Sequence, residues 1–320
     1  MTDDRPIVIA TRASELALRQ ARIVESALDR QGVRAELKTF RTTGDKRLDE
    51  PLSAIGGKGL FTKELETALL KGTVDCCVHS LKDLPTESPE GVMIGAVLVR
   101  EDPRDVLVLN DVIEAEGLHD IPRGSRIGTS SLRRRAQVLA LRPDLDVVEL
   151  RGNVPTRLRK VDEGQVHAAI LAAAGLHRLD ARQRISAYLE PPAWLPAAGQ
   201  GAIAVQIRSD DDRMRRLVAR LNDEATMIAT RAERAFLSAL EGGCQVPIGA
   251  LAIETAEGLV LHGLIAEVTG RHVVRGERAF GEDDPELVGV RLANDLRSRG
   301  GTEVLGMLRG MERVPSPQPE

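Results

Sequence analysis

The sequence predicts an α/β protein with two parallel-sheet lobes and a small C-terminal α+β domain. Three observations lead there. Apolar strand patterns alternate with helical ones as far as Gln200. Two unpatterned, proline-bearing segments, "EDPRD" (101–105) and "PPAWLPAAGQG" (191–201), interrupt the alternation as crossings between lobes. Past Leu251 short strands follow one another across "AEG" and "TGR" turns, the pattern of an antiparallel meander. At 320 residues the chain is too long for one ordinary core and suits two or three domains of about 100–150 residues.

The elements follow in order. "PIVIA" is an apolar strand, and "SELALRQARIVESALDRQG" repeats apolar residues at helical spacing from a Ser14 N-cap to a Gly32 stop. "GLFTKELETALLKG" then predicts a helix feeding the strand "VDCCVHS". "RIGT" leads into the helix "SSLRRRAQVLALR", "DVVEL" into "TRLRKVDEG", and "HAAILAAAG" into a helix over "LHRLDARQRI". "GAIAVQIR" is a strand, and "DEATMIATRAERAFLSALEGG" a long amphipathic helix ending at a glycine pair. The strands "LAIET", "LVLHGLIAEV" and "HVVRGERAF" and helices near 284–298 and 302–309 complete the last domain. The polar, glycine-rich stretch 42–59 reads as a mobile loop or lid, and 311–320 as a disordered tail.

Composition narrows the function. A net charge of −4 and 2% aromatic residues argue against a nucleic-acid surface. No run of about 18 apolar residues predicts a membrane span, and the acidic start "MTDDRP" lacks the features of a signal peptide, so cytoplasmic residence is expected. Cys76, Cys77 and Cys244 form no CxxC pair, and the six histidines show no HxH or HxxxH spacing, so neither a disulfide framework nor a metal site is expected. Seven of the 44 basic residues are lysine, which leaves 37 arginines. Arginine grips planar carboxylates and phosphates with two parallel hydrogen bonds, although codon bias gives the same composition.

Arginines also stand where helix electrostatics would not choose them. Arg12 precedes Ser14, Arg133 and Arg134 follow Ser130 and Ser131, and Arg151 and Arg157 flank "RGNVPT". Helix N-termini prefer anions, so either a ligand or a local acid such as Glu15 or Glu149 compensates these cations. In "VHSLKDLP" Lys82 and Asp83 come directly after a strand, where a carboxylate can steady a cation or move a proton, or where the pair marks only a turn. Of Cys76 and Cys77 at least the inward-facing one reads as a core residue, and His79 as a hydrogen-bonding partner. Cys244 in "EGGCQVPIG" follows a helix end, where the dipole does not lower a thiol pKa. It suits a sulfur that reacts once and stays attached, or a small buried hydrophobe.

"TRASELAL", "GGKGLFTKELE", "VHSLKDLPT", "REDPRD", "GTSSLRRR", "LRGNVPTRL", "LAAAGLHRL", "LPAAGQGA" and "LEGGCQVPIGA" occur in the order and approximate spacing of the porphobilinogen deaminase (hydroxymethylbilane synthase) family, which the chain resembles over nearly its whole length. The resemblance implies two lobes like those of periplasmic binding proteins, spanning 1–101 with 200–219 and 105–197, and an α+β domain over 222–310. It implies a monomer that joins four porphobilinogen molecules head to tail, losing ammonia at each addition, on a dipyrromethane cofactor tied to Cys244 through a thioether. Asp83 matches the catalytic aspartate; Lys82, Asp83, Ser131, Arg133 and Arg134 match cofactor-binding residues. Arg12, Ser14, Phe61, Arg151, Arg157, Arg178 and Gln200 match substrate-binding ones, and 42–59 matches the flexible lid. The "CC" before "VHS" departs from the small or aliphatic residues expected there and raises the question of oxidation sensitivity. A polycarboxylate carrier would explain the arginines but not the Lys82–Asp83 pair, and a thiol acyltransferase needs a histidine near Cys244 that the sequence lacks.

Overall fold

The structure, a computed structural model, describes residues 5–42, 62–240 and 246–311, with side chains through 307. Phe61, Cys244, positions 43–59 of the expected lid and the tail from 312 lie outside the described residues. The first part of the chain forms β1 (Ile7–Arg12), α1 (Glu15–Asp29), β2 (Ala35–Phe40), α2 (Lys63–Leu70), β3 (Cys76–Ser80) and β4 (Val92–Val97). It then crosses to form β5 (Asp105–Leu109), β6 (Arg126–Gly128), α3 (Leu132–Leu141), β7 (Asp146–Val148), α4 (Val154–Asp162), β8 (Ala168–Ala172), α5 (Ala173–Arg178) and β9 (Ala187–Leu189). A second crossing returns it as β10 (Ile203–Arg208) and α6 (Asp212–Val218).

The two sheets share one plan: β2-β1-β3-β10-β4 and β7-β6-β8-β5-β9. Three strands of each are parallel, as the strand–helix alternation predicts. The crossing strands β10 and β5 run antiparallel to both neighbours because each enters from the other lobe, so the sheets are mixed. Both faces of the first sheet are buried, which explains its continuous apolar runs. Ile7, Ile9, Cys76 and Val78 pack towards α1 and α6, while Ala10 and Cys77, one residue out of phase, pack towards α2. Both thiols are therefore core residues, with no exposed surface.

Helix starts follow capping chemistry. The Ser14, Ser131 and Asn153 side chains accept from the backbone N–H groups of Ala17, Arg134 and Thr156. One boundary differs from expectation. The helix after β8 begins at Ala173 and ends at Arg178, because the alanines of "AAAG" continue into helix, while Asp180 at φ 56° turns the chain out of it. Positions 182–184 form only a short 3-10 turn.

The last domain is α7 (Glu224–Ala239), the meander β11 (Ile248–Thr255), β12 (Gly258–Ala266) and β13 (Val273–Ala279), then α8 (Pro285–Leu296) and α9 (Thr302–Met311). Phe236, Leu261, Ile265 and Leu292 fill the space between the sheet and its helices. The opposite face docks on the second lobe, with Leu251 and Leu264 against Ala136 and Leu195. Gly270, at φ 74°, lies so close to α3 that a Cβ would stand 2.4 Å from the Ala140 nitrogen. Among the described residues no helix is long and apolar enough to cross a membrane.

Candidate active site

The carboxyl end of β3 leads into a single 3-10 turn, Leu81–Asp83. Leu81 and Leu84 are buried against Val97, Ala202 and Ala204, and the Leu81 N–H donates to the Ala202 carbonyl. With both leucines anchored, the half-buried Lys82 and Asp83 between them face outward. Asp83 lines a cleft with Arg12, Ser14, His79 and Ser80, at the carboxyl ends of β1 and β3, where open α/β sheets receive ligands. Burial lowers His79 to about 4, so it is neutral and a poor proton acceptor at neutral pH.

Across the cleft the second lobe presents its helix N-termini. Arg133 and Arg134 do meet an internal acid, but it is neither Glu15 nor Glu149. Fully buried Asp105 at the start of β5 accepts from Arg133 Nη1 and Trp194 Nε1 on Oδ2 (2.7 and 2.8 Å), and from Arg134 Nη2 and Gln200 Nε2 on Oδ1 (2.7 and 2.8 Å). Burial alone would raise its carboxyl pKa. The two guanidinium charges and their hydrogen bonds outweigh that and hold it well below the usual carboxylate range.

One carboxylate cannot neutralise this cluster. Lys82 donates to Gln200 Oε1 at 3.3 Å, and burial draws its ammonium down to about 8, Asp83 and Asp105 opposing and Arg134 and Arg133 adding to the shift. Arg157 donates Nε to the Gly152 carbonyl at 2.8 Å; burial, then the charges of Arg134 and Arg151, lower it to about 10 against the pull of Asp83. Arg151 has a loose local partner, Glu149, at 3.8 Å. The five cations Arg133, Arg134, Lys82, Arg151 and Arg157 thus face three carboxylates, Asp83, Asp105 and the loosely placed Glu149, and the buried Arg134 Nε and Arg151 Nη1 find no acceptor among the described residues. Orphaned guanidinium N–H groups beside a positive excess fit a polycarboxylate ligand such as a dipyrromethane, whose pyrroles carry acetate and propionate arms.

Two further expected residues stand at the crossings. Arg178 donates Nη2 to the Gly201 carbonyl at 2.6 Å, feels Glu101, and lines a hollow against the two crossings. Gln200 is fully buried, its amide engaged by Lys82, Asp105 and the Pro103 carbonyl, so it links the lobes from within. The crossings touch nearby, where Gly201 (φ 90°) would place a Cβ 2.2 Å from the Glu101 oxygen. Cys76 and Cys77 are poorly placed to anchor a cofactor. Burial pushes both thiols far up, and Cys77 Sγ donates to the Leu65 carbonyl. Asp105 and Glu233 are the site-supporting residues that sequence reasoning missed. An acid opening the apolar run "DVLVL", and another on the buried face of α7, were the available signals.

Comparison with known proteins shows the family. A family model described as "Porphobilinogen deaminase, dipyromethane cofactor binding domain" matches residues 7–216, and one described as "Porphobilinogen deaminase, C-terminal domain" matches 227–298. The porphobilinogen deaminase of Syntrophobacter fumaroxidans is 49% identical over 304 residues, 94% of this chain and 97% of its own length. That of Moorella thermoacetica is 51% identical over 301 residues, 93% and 95%. A solved periplasmic substrate-binding protein of an ABC transporter from Coxiella burnetii aligns with 69% of this chain and 94% of its own at 16% identity and a TM-score of 0.42. With both family models matched in order and relatives near half identity over almost every residue, the chain belongs to the porphobilinogen deaminase family.

Proposed function

We propose that the cleft around Asp83 is where this chain carries out its family's reaction. That reaction joins four porphobilinogen molecules head to tail with loss of ammonia, elongating a covalently held dipyrromethane, and frees hydroxymethylbilane by hydrolysis in tetrapyrrole biosynthesis. When bound, the dipyrromethane supplies a primer with a free pyrrole end for the next unit. We assign its thioether to Cys244, and its carboxylates to Arg133, Arg134, Lys82 and the Ser131 hydroxyl. Arg12, Ser14, Arg151 and Arg157 take those of the incoming substrate. The single observation that carries this reading is the unbalanced cation cluster meeting Asp83, with two of its buried guanidinium N–H groups lacking an acceptor among the described residues.

Asp83 has two tasks. When the aminomethyl group of porphobilinogen loses ammonia, positive charge spreads over the pyrrole and its N–H; a fixed carboxylate beside that N–H stabilises the charge. It also accepts the proton lost when the new carbon–carbon bond forms. The surrounding cations hold the substrate's acetate and propionate. The domain limits 1–101 with 200–219, 105–197 and 222–310, a monomeric state and cytoplasmic residence typical of the family belong to the same proposal.

Intact mass and single-turnover kinetics test it. Wild-type protein is expected to carry two pyrrole units, and Cys244→Ser none and little activity. Asp83→Ala is expected to accept preassembled primer yet fail to elongate it. Normal turnover by Asp83→Ala would remove Asp83 from the chemistry, and a full adduct on Cys244→Ser would move the anchor elsewhere.

A further inference from the structure

Asp83 is held from behind as well as from below. The segment after it, Leu84-Pro85-Thr86, is irregular, and its consecutive carbonyls need donors from elsewhere. A single side chain supplies them: Arg234 on α7 donates Nη1 to the Leu84 oxygen at 3.2 Å, and Nη2 to the Pro85 and Thr86 oxygens at 2.6 and 3.2 Å. A rigid guanidinium fork can span three carbonyls, whereas an ammonium is a point donor on a flexible stem. From the same helix Met227 packs against the cluster that seats Leu81 and Leu84. α7 therefore touches the catalytic turn through a polar clasp and an apolar contact.

The helix is itself fixed to the crossings. Glu233, the neighbour of Arg234, is fully buried and accepts from both terminal nitrogens of Arg100 in the first crossing (2.6 and 3.0 Å). It also accepts from the Gly199 N–H in the second (2.7 Å) and the Ala252 N–H in β11 (3.0 Å). Four donors on one carboxylate leave α7 little freedom to slide. A helix locked to both crossings and to the C-terminal sheet is thus the reference against which the Asp83 turn is set.

Building on the reading of Asp83 given above, we propose that Arg234 is a positioning residue for the reaction: by clasping the carbonyls of residues 84–86 it holds the Asp83 carboxylate at the reacting pyrrole, and so makes the C-terminal domain part of the chemistry. The carboxylate-binding arginines of α3 and α4 lie on the other lobe and do not depend on this clasp. Loss of Arg234 therefore acts on the chemical step rather than on substrate capture.

The test compares Arg234→Gln, Arg234→Lys and Asp83→Ala, each counted by intact mass so that rates refer to primer-bearing molecules. Arg234→Gln is expected to carry primer and to lose about 10²-fold in kcat, the cost of misplacing a reacting group by about 1 Å, with KM for porphobilinogen within about twofold. Arg234→Lys recovers part of that rate. Hydrogen exchange is expected to quicken at residues 81–87 and not across the lobes. If Arg234→Gln does not fold, Arg234→Lys carries the same expectations at smaller amplitude. A loaded variant with wild-type kcat, a change confined to KM, or exchange that quickens uniformly overturns the proposal, provided Asp83→Ala is inactive. If Asp83→Ala itself turns over, it is the underlying reading that fails.

Discussion

Asp105→Asn probes the internal counter-ion of the cation cluster. In the wild type both carboxylate oxygens each accept two hydrogen bonds, one from a buried guanidinium and one from Trp194 or Gln200. Asparagine keeps one accepting oxygen and turns an NH₂ towards two donors, leaving Arg133 and Arg134, 5% and 6% exposed, without a negative partner. Removing one member of a buried ion pair costs about 3–5 kcal/mol, and the two lost charged hydrogen bonds alone support the same range. Against a total stability of about 5–15 kcal/mol that is a large fraction, readable as a lower urea midpoint at pH 7. The pH dependence has a definite sign. The folded carboxyl titrates below its unfolded value, so its contribution is complete above an unfolded pKa of about 4 and fades as pH falls towards the folded value. The gap between wild type and variant should therefore narrow on acidification below about pH 4. An Asn variant as stable as wild type at pH 7, or a gap that widens in acid, would refute the counter-ion argument.

Three other outcomes are expected. The free-enzyme profile of kcat/KM should fall above about pH 8, as Lys82 loses the charge that holds a primer carboxylate; Lys82→Arg should retain activity and lose that limb, and an unchanged limb would exclude Lys82 as its source. Cys76→Ala and Cys77→Ala should keep the covalent primer, and both thiols should resist iodoacetamide in the native protein at pH 8, because neither has surface and both are held in the thiol form. Loss of the adduct in either variant would place the anchor on β3. Glu233→Gln should lower the thermal midpoint by several degrees through the loss of a buried carboxylate that bonds Arg100 and two backbone N–H groups, and an unaltered midpoint would mean that α7 is held by packing alone.

The parts of this architecture legible in the sequence are those set by local rules. Ser14 was readable as a cap because a hydroxyl before an apolar helical repeat satisfies a free N–H. Lys82 and Asp83 were readable as strand-end residues because an apolar run stops just before them. The 101–105 and 191–201 crossings were readable from broken periodicity. What escaped was the long-range charge pairing. Asp105 meets Arg133 across 28 positions and Gln200 across 95, and no spacing rule joins residues that only the sheet order brings together. Arg178, matched only through its family motif, donates to the Gly201 carbonyl at the crossings, a contact that no spacing rule shows either.

Charge bookkeeping in the cleft explains why the protein tolerates such an arrangement. A structural cluster would pair each guanidinium with its own acid, since a buried cation without a partner is costly. Here Asp105 serves two arginines, Gln200 accepts from Lys82, Arg157 donates to the Gly152 carbonyl, and Arg151 has a glutamate at 3.8 Å. Burial first, and the neighbouring guanidinium charges after it, lower Lys82 to about 8 and Arg157 to about 10, so each cation gains from an incoming carboxylate. One internal acid is enough to fix the two most buried arginines in place. A second would reduce the excess that a growing chain of pyrrole carboxylates requires, so the geometry needed for binding and the charge needed for binding set opposite limits on how many acids the core can hold.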